Sequence, residues 1–199
     1  MTRVCVFCGA SVGVRPAYRA AAEELGRELA RRRLGLVYGG GDHGLMGTVA
    51  AAVRGAGGSV LGIIPRGLMA RELNSGGGRA LAHAELRIVD SMRERKTEME
   101  EAADAFCVLP GGLGTLEEVV EVLSWAQLGL HDKPIGLLDT ERYYRPLLRL
   151  LDHEVAEGFL AAAHRDLLIV EQRPGDLLDR LLAPRPPGGA PALLSPEER

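Results

Sequence analysis

The sequence is poor in aromatic residues, lysine and cysteine, and each shortage excludes something. Aromatic residues make up 4% of the 199 residues, so the core must be built mainly from Ala, Leu, Val and Ile. Lysine occurs only at Lys96 and Lys133, and the other basic residues are arginines. A net charge of −3 gives no electrostatic reason for binding nucleic acid or a membrane surface, so we expect neither partner.

A leader sequence and long apolar runs are also lacking. No apolar run approaches the roughly 18 residues that a membrane span requires, and the first residues do not resemble a signal peptide. Three cysteines, an odd number, argue against a disulfide framework. Cys5 and Cys8 have the spacing of a redox motif, but on a strand their side chains would point to opposite faces. We therefore expect a cytoplasmic protein with reduced cysteines.

Short apolar runs alternate with helical patterns along the chain. The runs lie at residues 4–8, 34–38, 60–64, 86–89, 105–109, 135–138 and 167–170, and the helical patterns at 17–33, 45–55, 92–103, 116–128, 143–157 and 174–182. This alternation predicts an α/β fold: a doubly wound Rossmann-like parallel sheet of about seven strands with helices on both faces. We expect one domain over residues 1–183 and a disordered tail, rich in Pro and Gly, over 184–199. The connection 65–83 has no clean helical period and is predicted to be functional or mobile.

Three glycine-rich turns follow predicted strands, at residues 8–11, 39–47 and 110–115. Each precedes a helical pattern, so its backbone N–H groups and the helix N-terminus together favour a phosphate. The second turn contains Gly-x-Gly-x-x-Gly at Gly39, Gly41 and Gly44. However, no acidic residue closes the next strand, which weakens a nicotinamide interpretation, and Gly-Lys-Ser/Thr of a Walker A loop is absent.

The third turn allows two interpretations of one carboxylate. Thr115 at a helix N-cap with Glu118 three residues later would form a capping box, which is a purely structural role. At 100° per residue, the apolar face of this helix comprises Leu116, Val119, Val120, Leu123 and Ala126. Glu118 lies at the edge of that face, where it would be partly desolvated and suited to catalysis. Both roles remain open on the residues alone.

Basic residues cluster at the start of another predicted helix. Arg93, Arg95 and Lys96 oppose the helix dipole there, and an anionic ligand would compensate them. The five histidines show no metal-ligand spacing, and no Ser-His-Asp arrangement or nucleophile elbow is evident. We therefore expect neither a metal nor a cofactor.

Several motifs together resemble the LOG (Lonely Guy) family of cytokinin riboside 5′-monophosphate phosphoribohydrolases, many of which were once labelled lysine decarboxylases. They are VCVFCGAS (residues 4–11), VYGGG (37–41) with GLMG (44–47), IPxxLMxRE (64–72), MxxRK (92–96), PGGLGTLEE (110–118), SWAQLG (124–129) and DKP (132–134). The resemblance runs from about residue 3 to 182.

The resemblance implies that Arg95 and Glu118 are the catalytic pair. It implies substrate contacts at Glu72, Lys96, Gly111, Gly112, Leu113, Gly114, Thr115, Leu116, Glu117 and Ser124. Apart from the resemblance, we expect the glycine loop of Gly39, Gly40 and Gly41 to help hold the phosphate. It also implies a homodimer or higher homo-oligomer whose site the neighbouring subunit completes. Arg93 replaces a histidine that is common in the family, and Ser124 replaces a threonine.

The expected reaction is hydrolysis of the N-glycosidic bond of an adenine-type nucleoside 5′-monophosphate. Glu118 would stabilise an oxocarbenium-like transition state and activate water, while Arg95, always protonated, would hold Glu118 or the departing base. Three alternatives remain: a non-catalytic nucleotide-binding protein, a lysine decarboxylase, and a hydrolase for another base. The sequence does not decide between AMP and N6-substituted ribotides.

Overall fold

The computed structural model describes residues 1–69, 85–184 and 192–194. The strands are β1 (Arg3–Phe7), β2 (Gly35–Tyr38), β3 (Val60–Pro65), β4 (Glu85–Val89), β5 (Ala105–Val108), β6 (Ile135–Leu138) and β7 (Leu168–Glu171). Helices are α1 (Pro16–Arg31), α2 (Gly44–Gly55), α3 (Met92–Glu101), α4 (Leu113–Leu128), α5 (Arg145–Ala156), α6 (Ala162–Arg165) and α7 (Pro174–Leu181), and a 3-10 turn spans Thr140–Arg142.

All seven strands form one parallel sheet in the order β4-β3-β2-β1-β5-β6-β7. The predicted α/β fold and strand number are therefore confirmed. The chain runs outward from β1 to β4 and then returns to β5 on the other side of β1. In such sheets ligands bind at the carboxyl ends of the strands where the direction of winding reverses, which here is the crevice between β1 and β5.

The core has two halves, one on each face of the sheet. Val4 and Val6 of β1, and Cys8 directly after it, belong to the cluster that α1, α2 and α7 cover. Cys5 and Phe7 belong to the cluster that α3, α4 and α5 cover. The alternation follows from the two-residue period of a strand. It confirms that the thiols of Cys5 and Cys8 lie on opposite faces.

The start of α4 differs from the prediction. The N-cap is Gly112, which has no side chain, and the helix begins at Leu113. Thr115 is therefore a buried residue of the first turn and not the N-cap, which excludes the capping-box interpretation of Thr115 and Glu118. A side-chain cap occurs instead on α3, where Ser91 Oγ accepts from the Glu94 N–H at 3.1 Å.

The buried face of α4 also differs from the predicted one. Thr115, Glu118, Val119 and Val122 are buried, whereas Val120 is 52% exposed. The predicted buried face is offset from the observed one by about one residue. The reason is that the prediction considered only apolar residues and did not allow for a buried carboxylate. Glu118 lies within the buried face and not at its edge.

The predicted helix 143–157 begins at Arg145, which leaves Tyr143 and Tyr144 in the preceding turn. In the tail, the N–H groups of Leu193 and Leu194 donate to the carbonyls of Gln127 and Leu128 at the end of α4. Residues 185–191 and 195–199 of the tail lie outside the described residues. Within the described ranges, none of the helices has the length and apolar character needed to cross a membrane.

Candidate active site

Three glycine-rich loops meet at one edge of the sheet. Val6 of β1 pairs in register with both Tyr38 of β2 and Cys107 of β5, so the three strands end at the same level. The loops that follow them are joined through Gly9, whose N–H donates to the Pro110 carbonyl at 3.0 Å. The Gly9 carbonyl accepts from the Leu45 N–H at 3.0 Å.

Two positions show why these loops need glycine. Gly44 has a φ of +63°, and a Cβ there would overlap the carbonyl group of Ala10. A Cβ on Gly111 would overlap the Thr115 side chain and lie 2.9 Å from the Gly9 nitrogen. Because the backbones pack directly on each other, the first turn of α4 is held close to the end of β1.

A cavity of about 240 Å³ lies where the loops converge. Its lining includes six residues predicted for the site: Gly39, Arg95, Gly112, Gly114, Thr115 and Glu118. It also includes Cys8, Gly9, Ala10, Met46 and Met99, which the site prediction omitted. The first helical turn of α4 leaves backbone N–H groups without partners in the helix, and these donors border the same cavity. The cavity therefore combines backbone N–H groups that can donate to an anion with a buried ion pair between two side chains.

Arg95 of α3 and Glu118 of α4 form that ion pair. The distance from Arg95 Nη2 to Glu118 Oε1 is 3.6 Å, and the two side chains are 10% and 11% exposed. This separation is longer than a hydrogen bond, so the contact is an ion pair only. Arg95 Nε is buried and has no hydrogen-bond partner within the described residues. The guanidinium thus keeps a donor for a further acceptor.

Burial changes the acidity of Glu118. Desolvation raises its pKa from the usual 4.5 to about 7, against the opposing effect of the Arg95 charge. A carboxyl group with a pKa near neutrality exchanges protons readily at physiological pH, which suits a general acid or base. Perturbed carboxyl groups in a cleft are typical of functional sites.

Gly39 provides space for Arg95, which leads to a first prediction. A Cβ at residue 39 would overlap Nη2 of the guanidinium, so Gly39→Ala should displace Arg95 from Glu118. We expect turnover to fall by at least about tenfold, since a misplacement of about 1 Å can cost on the order of a hundredfold. Steady-state kinetics and a thermal melt would measure it.

Gly55→Ala is the matched control for Gly39→Ala, because a Cβ there meets nothing within 4 Å. It lies at the end of α2, where alanine is favoured over glycine, so activity and stability should be preserved. Equal activity of Gly39→Ala and the wild type would show that the position of the guanidinium does not matter.

Several predicted contact residues lie outside this cavity. Lys96 Nζ binds Glu117 and Glu121 at 2.5 and 2.8 Å, which ties α3 to α4 beside the Arg95–Glu118 pair. Carboxylates of α4 therefore compensate the charges of Arg95 and Lys96 on α3. The remaining predicted residues not in the lining are Gly40, Gly41, Gly111, Leu113, Leu116 and Ser124; Glu72 lies outside the described residues.

Ser124 lines a different cavity, of about 130 Å³, with residues of α5 and α6. Gly40 has a φ of +74° and packs on Ile64 of β3. In the part of the chain that the structure describes, no group of three His, Cys, Asp or Glu residues is arranged to hold a metal ion.

Comparisons with known proteins find relatives over most of the chain. The family model described as "Possible lysine decarboxylase" matches residues 46–181. A rice (Oryza sativa subsp. japonica) protein, "Probable cytokinin riboside 5′-monophosphate phosphoribohydrolase LOGL9", is 56% identical over 84% of this chain and 71% of its own length. The Arabidopsis thaliana enzyme "Cytokinin riboside 5′-monophosphate phosphoribohydrolase LOG5" is 50% identical over 92% of this chain and 78% of its own length.

Solved structures share the fold at low sequence identity. The molybdenum cofactor carrier protein of Chlamydomonas reinhardtii superposes with a TM-score of 0.65 at 19% identity, over 91% of this chain and 98% of that one. The molybdenum cofactor binding protein of Rippkaea orientalis gives a TM-score of 0.63 at 19% identity, over 90% and 94%. These likenesses support the Rossmann-type architecture alone.

Proposed function

Because the chain belongs to the LOG family of cytokinin riboside 5′-monophosphate phosphoribohydrolases, we propose that it hydrolyses adenine-type nucleoside 5′-monophosphates to the free base and ribose 5-phosphate. The bond that breaks is the N-glycosidic bond between C1′ and the base. The observation that carries the proposal is the buried Arg95–Glu118 pair beside the open first turn of α4. The proposed reaction needs neither a metal nor a cofactor.

The first turn of α4 is proposed to bind the 5′-phosphate. Gly112, Gly114 and Thr115 border the cavity, and the N-terminal N–H groups and helix dipole favour an anion there. Gly39 would bring a second glycine loop against the same ligand. The binding energy of this remote dianion would hold C1′ in place for attack.

Glu118 is proposed to act on C1′ and water. Cleavage of a glycosidic bond passes through an oxocarbenium-like state with positive charge on C1′ and the ring oxygen. The ionised carboxylate would stabilise that charge and remove a proton from the attacking water, whose oxygen then bonds to C1′. The electron pair of the broken bond goes to the base nitrogen.

Arg95 is proposed to orient Glu118 and stabilise the departing base. A guanidinium stays protonated at ordinary pH, so it does not supply the proton that the base takes up. Its buried charge would favour the ionised carboxylate and the electron-rich purine. The proton for the base would come from water or from the protonated Glu118.

The test is incubation of the purified protein with AMP and with N6-isopentenyl-AMP, followed by chromatography for free base and ribose 5-phosphate. Release of both products would support the proposal. Tight AMP binding without base release would favour the non-catalytic nucleotide-binding alternative. A competition assay across AMP, GMP, CMP and N6-substituted AMP would define the base preference.

The acidity of Glu118 predicts the pH dependence of the reaction. Because the ionised form is the active one, kcat/KM should rise with pH through an apparent pKa of about 7 and level off above it. The substrate phosphate has its own second pKa of about 6, so the profile must be repeated with Glu118→Asp. If kcat/KM rose at the same pH in the wild type and in Glu118→Asp, the rise would reflect ionisation of the phosphate. That result would contradict this role of Glu118.

Lysine decarboxylation is disfavoured by the two lysines. Pyridoxal chemistry requires a lysine whose amine reaches the cofactor in the active site. Lys96 is engaged by Glu117 and Glu121, and Lys133 Nζ binds the carboxylate of Glu100 on α3. Neither lines the cavity that contains Arg95. No amine should form from lysine with added pyridoxal phosphate.

We further propose that residues 1–183 form one domain that assembles as a homodimer or higher oligomer in the cytoplasm. Leu113 and Val120 of α4 are 85% and 52% exposed, and an apolar helix face of this kind favours a partner surface. Ser124 follows on the same helix, which would let the partner subunit complete the site. Light scattering after gel filtration would give the oligomeric state.

Free, buried cysteines suit a reducing compartment, which supports the proposed cytoplasmic location.

A further inference from the structure

Two consecutive tyrosines hold the loop that precedes α4. Tyr143 Oη donates to the Gly111 carbonyl at 2.5 Å, and Tyr144 Oη donates to the Leu109 carbonyl at 2.6 Å. Both acceptors belong to the loop between β5 and α4, one on each side of Pro110. Tyr143 also makes edge contacts with the rings of Tyr18 and Tyr144.

The tyrosines are presented by a turn with unusual backbone geometry. Glu141 and Arg142 have φ values of 54° and 59°, a left-handed conformation that non-glycine residues adopt at a cost. The turn is fixed by buried Asp139, whose Oδ1 accepts from the Tyr144 N–H at 2.7 Å. Strain of this kind persists where surrounding contacts determine the backbone, and it often accompanies functional sites.

The hydrogen bond from Tyr143 has a geometric consequence for the first turn of α4. A trans peptide is planar, and its C=O and N–H point in opposite directions. Since the Gly111 carbonyl points to Tyr143, the Gly112 N–H points away from it. Tyr143 lines a cleft of about 400 Å³ together with Gly111, whereas Gly112 also borders the cavity of Arg95 and Glu118.

We infer that Tyr143 is a positioning residue that orients the Gly111–Gly112 peptide so that the Gly112 N–H donates to the 5′-phosphate of the substrate. This inference rests on the proposed phosphate site at the start of α4. Tyr143 acts through the peptide and does not touch the ligand. Tyr144 holds the other end of the loop at Leu109, so the orientation of the Gly111–Gly112 peptide itself depends on Tyr143.

The test compares two ligands that differ in the phosphate. Ribose 5-phosphate and adenosine are titrated calorimetrically into the wild type and into Tyr143→Phe, which keeps the ring and removes the hydroxyl. We expect ribose 5-phosphate to bind about three- to tenfold more weakly to the variant, the scale of one lost hydrogen bond. Adenosine affinity should stay within about twofold, and KM for AMP should rise more than kcat falls.

Tyr18→Phe is the matched control, because it removes a hydroxyl from the ring that packs on Tyr143, and among the described residues that hydroxyl makes no hydrogen bond to the loop. It should bind both ligands as the wild type does. The Tyr143 side chain is 38% exposed, so Tyr143→Phe should melt near the wild-type temperature. Unchanged ribose 5-phosphate affinity, or an equal loss for both ligands, would overturn the inference. A wild type that binds ribose 5-phosphate but releases no base would contradict the proposed reaction alone.

Discussion

Glu118→Gln should lower kcat/KM for AMP by about 10² to 10⁴-fold, the usual range for removal of a general base. The amide has nearly the shape of the carboxylate, so packing in the buried face of α4 is preserved. It carries no charge to stabilise an oxocarbenium-like transition state and cannot accept a proton from water. Binding of AMP should change little, because the phosphate donors belong to the backbone of α4. Initial rates and calorimetric AMP affinity would separate the two effects.

Glu121→Gln is the matched control for Glu118→Gln, with the same chemical change three residues along the same helix. Glu121 binds Lys96 outside the cavity, and Lys96 keeps its second partner, Glu117. Its activity should remain within about twofold of the wild type. If Glu118→Gln retained wild-type turnover, the carboxylate would have no catalytic role and the low exposure of Glu118 would be a matter of packing.

The fold could be predicted because strands buried on both faces leave a strong signal. β1, β2 and β5 are almost wholly buried, so each appears as a continuous apolar run bounded by glycine. β4 is mostly exposed and lies at the sheet edge, yet its short apolar run at residues 86–89 still identified it. Right-handed connections predicted a doubly wound sheet, and the reversal of winding beside β1 marks the crevice where ligands bind in such sheets.

The start of α4 could not be predicted from local capping preferences. Threonine is a better N-cap than glycine, so the sequence pointed to Thr115. The observed helix begins at Leu113 with Gly112 as its N-cap, and its first N–H groups have no side-chain cap. We interpret this as a helix end whose donors are reserved for ligand. Local preferences fail at such positions because the ligand is absent from the sequence.

Tertiary packing decides which carboxylates of α4 pair with the basic residues of α3, so these pairs could not be predicted from the sequence. Arg95 and Lys96 are neighbours in sequence and about 100° apart around the helix, so each meets a different stripe of α4. Arg95 meets Glu118, and Lys96 meets Glu117 and Glu121. Family resemblance identified both basic residues, but only the geometry separates the one in the cavity. The role inferred for Tyr143 had no sequence signal beyond a Tyr-Tyr pair after a turn.

Arg95→Gln should lower kcat/KM by about a hundredfold or more and also move its pH dependence. The Arg95 charge opposes the desolvation that raises the Glu118 pKa, so its removal should raise that pKa further. The acid limb of kcat/KM should then shift to higher pH, because a more basic carboxyl group loses its proton later. Arg95→Lys retains the charge but not the planar donor fork, so it should keep the limb near its original pH while remaining slow.

The two Arg95 variants distinguish electrostatic from geometric action. Arg180→Gln is the control, since Arg180 is 54% exposed and pairs with Glu171 on β7. Its rate and pH profile should match the wild type. If Arg95→Gln lost activity without any shift of the acid limb, the guanidinium would act on the departing base and not through the ionisation of Glu118. If instead raising the pH restored most of its activity, the charge of Arg95 would serve chiefly to keep Glu118 ionised.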